Sequence, residues 1–61
     1  MAHSLIIDGE YNEESIKQLP ISKKDVNNIC ASHKCDIKDV FLLTLDDEGK
    51  THIIMKEKQE N

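Results

Sequence analysis

Apolar residues fall along this chain in short clusters divided by polar punctuation, and the spacing inside each cluster predicts an element. Leu5, Ile6 and Ile7 form a continuous run closed by Asp8-Gly9. This predicts a strand and a tight turn, because glycine tolerates positive φ without a Cβ clash. Glu10-Tyr11 then returns as a brief extended pair. Asn12 is placed as a helix N-cap, its side-chain oxygen accepting an orphan backbone N–H. Glu13 and Glu14 follow in the first turn, where the helix dipole favours acids. Ile16 and Leu19, three apart, give a short helix one apolar edge, and Pro20 ends it.

Ile21-Ser22-Lys23-Lys24-Asp25-Val26 carries the strongest local signal. Ser22 caps a second helix, and Asp25 stands where the acid of a capping box belongs. Ile21 and Val26 fit a hydrophobic staple across the cap. Val26, Ile29, Cys30 and His33 repeat at i, i+3, i+4, i+7, one buried face of a helix running to about His33 or Lys34. After a connector at Asp36-Ile37-Lys38-Asp39, the run Val40–Leu45 predicts a strand. The polar turn Asp46-Asp47-Glu48-Gly49 and the run from Thr51 predict a hairpin, with Gly49 as its left-handed residue.

The order strand, short return, helix, helix, strand, strand predicts an α+β fold. It is a small two-layer sandwich, with a three- or four-stranded sheet and one or two helices on one face. Residues 1–61 form a single module, ordered over 4–56 and frayed over 57–61. The first and third apolar runs are hydrophobic at nearly every position, not at every second one. Strict alternation sends Phe41, Leu43 and Leu45 one way and Val40, Leu42 and Thr44 the other. One set packs on the helices, and the other leaves an apolar patch of the kind that marks an interface. Leu5, Ile7, Phe41, Leu43, Leu45 and Ile54 are the expected interface residues, and the expected partner is a second copy or a similar module.

Composition narrows the function. Sixty-one residues with two cysteines have no dense disulfide framework. A domain this short is marginally stable unless association or another aid helps it. The core is aliphatic, since Trp is absent and Tyr11 and Phe41 are the only aromatics. The net charge is −4 and there is no arginine. Nucleic-acid binding and attraction to an anionic membrane surface are therefore not expected. No run approaches the roughly 18 apolar residues that span a bilayer, and the N-terminus does not read as a signal peptide.

Cys30, His33 and Cys35 form C-x2-H-x-C, which is candidate metal chemistry. A closed zinc site needs a fourth ligand, which His52 or His3 would have to supply. Cys30 falls on the predicted apolar face, where a free cysteine serves as a small hydrophobe. Core filling is the reading that fits better, and no cofactor is expected. A Cys35 nucleophile beside His33 or His52 lacks an orienting group and an oxyanion hole at recognisable spacing, so no enzyme is expected. The acids 46–48 do not have the spacing of an EF-hand.

The succession Leu5-Ile6-Ile7-Asp8-Gly9-Glu10, Asn12-Glu13-Glu14, Leu19, a capped helix, Asp36-Ile37-Lys38-Asp39-Val40-Phe41-Leu42 and Leu45-Asp46-Asp47-Glu48-Gly49 resembles the soluble domain of the YetF-like family. These are bacterial multipass membrane proteins of uncharacterised function, known mainly from Bacillus and its relatives. The resemblance covers Leu5 to about Lys56 and is closest to the second of the family's two cytoplasmic modules. It implies an α/β fold, a cytoplasmic location, self-association and a membrane attachment made only by a transmembrane region outside this chain. It implies no reaction and no catalytic residue. One departure is that Ala31-Ser32-His33-Lys34-Cys35 lacks the glycine with which the family's helix ends.

The function expected is thus a non-catalytic interaction or oligomerisation module. The alternative is a small-ligand or metal sensor built on Cys30, His33 and Cys35.

Overall fold

The computed structural model describes residues 2–57. Strand β1 (His3–Ile7) leads through Asp8-Gly9 to the two-residue β2 (Glu10–Tyr11). Helices α1 (Glu13–Gln18) and α2 (Lys23–Ser32) follow. A single 3-10 turn at Ile37–Asp39 leads to β3 (Val40–Leu45) and β4 (Thr51–Met55). The four strands form one antiparallel sheet in the order β2-β1-β3-β4. The fold is the small α+β sandwich that the pattern predicts. Its core joins Leu5, Ile6, Val40 and Leu43 of the sheet to Ile16, Val26 and Cys30 of the helices. The expected fraying falls on residues 58–61, outside the described ones, and on Glu57, which is exposed and beyond β4.

Two bulges set which side chains enter that core. The β1–β3 register pairs Ser4 with Thr44 and Ile6 with Leu43, leaving Leu5 as an extra residue. A bulge re-aims its side chain, and here both Leu5 and Ile6 are fully buried although they are consecutive. Regular alternation would turn one of them to solvent, forfeiting about 2 kcal/mol of apolar burial. The carbonyls around this bulge are satisfied by one residue. Asn12 donates its backbone N–H to the Leu5 carbonyl (2.8 Å) and its side-chain Nδ2 to the Ser4 carbonyl (3.0 Å). Asn12 is the N-cap of α1 by position, but its side chain makes no cap hydrogen bond. It ties the helix start to the sheet instead.

The second bulge lies in β3. Val40 pairs with Met55 and Leu42 with Ile54, so Phe41 is the extra residue. Val40 is fully buried and Phe41 is half-exposed. Strict alternation from Leu43 and Leu45 predicts the reverse. Phe41 is thus exposed, as an interface residue should be, but it does not share its side with Leu43, because one inserted residue shifts the phase of everything before it. The carbonyls of Phe41 and Val40 accept the N–H groups of Asp8 (2.6 Å) and Gly9 (2.8 Å). Asp8 and Gly9 have φ of 49° and 79°, as a two-residue hairpin turn of the primed type requires. Gly9 has a second reason to be glycine, since a Cβ there would lie 3.0 Å from the Lys38 carbonyl oxygen.

Helix α2 begins as predicted. The Ser22 hydroxyl accepts the Asp25 N–H and the Asp25 carboxylate accepts the Ser22 N–H (2.9 Å), a reciprocal capping box. Val26 is buried, and Ile21 packs against the same core. The helix ends on hydrogen bonds from Cys35 N–H to the Cys30 carbonyl (3.1 Å) and from Lys34 N–H to the Ala31 carbonyl (3.0 Å). That is the Schellman pattern, whose C′ position is left-handed. Lys34 occupies it with φ 58°, where a side chain costs about 1–2 kcal/mol.

Lys34→Gly is therefore expected to stabilise the fold by about 1 kcal/mol, seen as a higher midpoint in urea with an unchanged slope. Asn12→Ala should cost about 1–2 kcal/mol, because it strips the Ser4 carbonyl of its partner. The same measurement checks it, and an unchanged midpoint would show that water replaces the amide.

Candidate interaction surface

The helices cover one face of the sheet and leave the other bare. Four large hydrophobics are substantially exposed: Ile7 (49%), Phe41 (51%), Ile54 (53%) and Met55 (43%). Three strands supply them, and the register joins Ile7 to Ile54, while Met55 is paired with the buried Val40 and lies at the sheet edge on the helix side. Ile7 stands opposite Leu42 and Leu42 opposite Ile54, so one continuous apolar row crosses β1, β3 and β4. Directly opposed side chains lie about 5 Å apart at Cβ, close enough to act as one surface. Glu10, paired with Ile7, ends the row at β2. Phe41 stands beside it and lines an open groove with Ile54, Met55, Lys56 and Glu57.

Polar groups frame the row. Ser4, Thr44 and His52 are joined by register into a second, polar row on the same face. The Lys56 ammonium lies 3.5 Å from the Asp8 carboxylate and links the β1–β2 turn to the end of β4 across one end of the sheet. Asp46 shapes the β3–β4 turn. One carboxylate oxygen accepts the N–H groups of Glu48 and Lys50, both at 2.9 Å. The other lies 3.8 Å from His52 Nε2. An apolar centre inside a polar rim is the ordinary anatomy of a protein-binding patch.

The six expected interface residues divide. Ile7, Phe41 and Ile54 are on the bare face. Leu5 and Leu43 are fully buried in the core and cannot meet a partner, and Leu45 is half-buried against that core. The reason is the same pair of bulges: one draws Leu5 inward, and the other lets Val40 and Leu43 share the core while Phe41 faces out. Leu42 belongs to the apolar row and was not among the six. No signal in the sequence marks it, because the bulge that lets Val40 and Leu43 share the core leaves no trace in a run that is apolar throughout.

The candidate metal residues do not converge as a set, although Cys30 and Cys35 are neighbours. Cys30 is fully buried, His33 is exposed at the end of α2, and His52 lies on the opposite face of the sheet. Among the described residues there is no group of three or more side chains able to share a metal ion. Cys30 and Cys35 are both free thiols. The Cys35 thiol donates to the Cys30 carbonyl (3.4 Å). Burial, reinforced by the neighbouring Cys35, pushes the Cys30 thiol above its ordinary value. It is therefore held in its unreactive protonated form.

Compared with family models, with curated proteins and with solved structures, the chain matches none. The fold and the surface define its class: a small α+β sandwich with one bare, apolar-centred sheet face.

A thiol alkylating reagent on the native protein at neutral pH should modify Cys35 and spare Cys30 until the chain is unfolded in denaturant. Peptide mass spectrometry reads the two sites separately. Rapid labelling of native Cys30 would contradict its place in the core. The raised thiol also carries a sign. Below the ordinary thiol value both states keep the proton. Above it the unfolded chain ionises first, so stability falls as pH rises through and beyond that range.

Proposed function

We propose that this chain is a non-catalytic protein-interaction and oligomerisation module whose bare sheet face meets a second copy or a structurally similar module. The observation that carries the reading is the row Ile7–Leu42–Ile54 with Phe41 at its side, continuous across three strands and covered by neither helix. A chain of this size has little apolar surface to spare. Leaving its one phenylalanine half-exposed while Val40 is buried beside it is costly unless that surface is used. The non-catalytic part draws on the cysteine chemistry: the Cys30 thiol is fully buried in the core and burial pushes it above its ordinary value.

The motif order from Leu5 to Lys56 supports a further step. It resembles the second cytoplasmic module of YetF-like bacterial membrane proteins, and in that setting the bare face would dock on the sister module or on another subunit at the cytoplasmic side of the membrane. No helix among the described residues is long and apolar enough to cross a membrane.

The test is the mass of the chain in solution, by light scattering across a wide concentration range. The expected result is association that weakens at least tenfold in the double variant Phe41→Ser/Ile54→Lys. Both side chains are only half-buried, so folding stability should fall by about 2 kcal/mol, and a urea midpoint confirms that the variant is folded when its mass is measured. A wild-type chain that stays strictly monomeric at high concentration would sink the self-association part.

A further inference from the structure

The two edges of the sheet are unlike. Strand β2 is two residues long and runs straight into α1, so it offers almost nothing to pair with. Strand β4 is five residues long, Thr51-His52-Ile53-Ile54-Met55, and contains no proline, lysine or acid. One third of the whole chain is charged, so an uncharged edge is notable here. Proteins ordinarily protect such an edge with a lysine, a proline, a bulge or a covering element. Here the extra residue of the β3–β4 bulge sits in β3, so β4 itself runs unbroken.

The direction of its backbone groups follows from the hydrogen bonds at its two ends. The Lys50 carbonyl accepts from Asp46 N–H, and Lys56 N–H donates to the Asp39 carbonyl. Both bonds point toward the β3 side. Backbone groups alternate along a regular strand, so residues 50, 52, 54 and 56 face β3. Thr51, Ile53 and Met55 direct their N–H and C=O groups to the open edge. Among the described residues no turn, loop or cap backbone bond reaches these groups.

We propose that β4 is a self-pairing edge: two copies join antiparallel about a two-fold axis at Ile53, making one continuous eight-stranded sheet. In that register Ile53 meets Ile53 of the second copy, and Thr51 meets Met55 in both directions. Every outward group of β4 is then used, for about six hydrogen bonds. Other antiparallel registers leave some of these groups unpaired. On the bare face, Ile54 of one copy stands beside His52 of the other, so the two apolar rows adjoin across the seam. The like charges that meet are Lys50 and Lys56 of the second copy, both outside the strand, and Lys56 is already beside Asp8. Added salt should therefore tighten the pair, since it also screens a net charge of −4 on each chain.

This inference rests on the reading of the chain as an interaction module and names its partner and geometry. Amide hydrogen exchange by NMR at low and high protein concentration tests it. Thr51, Ile53 and Met55 should exchange freely when dilute and slow by roughly tenfold or more when concentrated. His52 and Ile54, bonded to β3, should be protected at both concentrations. Thr51→Pro removes one outward N–H at the first residue of the strand, where proline is tolerated. It should abolish dimerisation while the His52 and Ile54 amides stay protected. A monomer at every concentration would overturn the proposal, as would a dimer whose odd-numbered amides remain unprotected. A dimer that survives Thr51→Pro but is lost in Phe41→Ser/Ile54→Lys would also overturn edge pairing while keeping the bare-face reading. The converse pattern would keep edge pairing and remove the bare-face reading.

Discussion

A four-stranded sheet in a chain this short has few places to put its apolar side chains, and the tie between Asn12 and the β1 bulge determines how they are used. Bulging β1 at Leu5 places Leu5 and Ile6 together in the core, but it disturbs the ladder around Ser4 and Leu5. A buried carbonyl without a donor would cost about as much as the extra side chain contributes. Asn12 removes that penalty with two donors from one residue, its N–H to Leu5 and its amide to Ser4. The same contact fixes where α1 starts and so where Ile16 enters the core. Without the Asn12 side chain, the Ser4 carbonyl beside the bulge would lose its donor.

The second bulge repeats the logic with a different donor pair. The Asp8-Gly9 turn closes the β1–β2 hairpin and also aims two N–H groups at the carbonyls of Phe41 and Val40. The turn is thus the partner of the β3 bulge, and its left-handed geometry is coupled to which face Phe41 takes. Local turn chemistry at positions 8 and 9 sets a surface feature more than thirty residues away in sequence. This gives Asp8-Gly9 a role beyond reversing the chain direction.

Much of the fold was legible because its signals are local. The Ser22–Asp25 box, the Ile21–Val26 staple, the Asp8-Gly9 turn and the Gly49 turn all act within a few residues, and each appears where the sequence places it. The bulges were not legible. Hydrophobic periodicity reports alternation, and in runs that are apolar throughout, such as Leu5–Ile7 and Val40–Leu45, an inserted residue leaves no mark. Half of the expected interface was consequently assigned to the wrong side: Leu5 and Leu43 belong to the core and Leu45 packs against it. The expectation of a bare apolar face was sound, because it depended on the number of apolar residues and not on their phase. Asn12 was placed correctly as an N-cap, but its side chain's donation to a strand carbonyl depends on a bulge that the sequence does not display. The place of Cys30 was legible from the helical period: Cys30, His33 and Cys35 are close in sequence, but Cys30 falls on the apolar face of the helix and is buried, while His33 stays exposed.

The bare face and the open edge of β4 are not independent features. Ile54 belongs to both, as the end of the apolar row and as a member of the edge strand. A partner that extends the sheet at β4 would also lengthen the bare face, because side chains of an added strand continue the same pleat. Backbone pairing alone carries little specificity, since any extended segment offers the same N–H and C=O groups. The apolar row supplies what the backbone lacks, a side-chain pattern that only a strand in the right register can continue. Selection for one partner would therefore require the face as well as the edge, and β4 offers both, since it carries the exposed Ile54 and no lysine or acid.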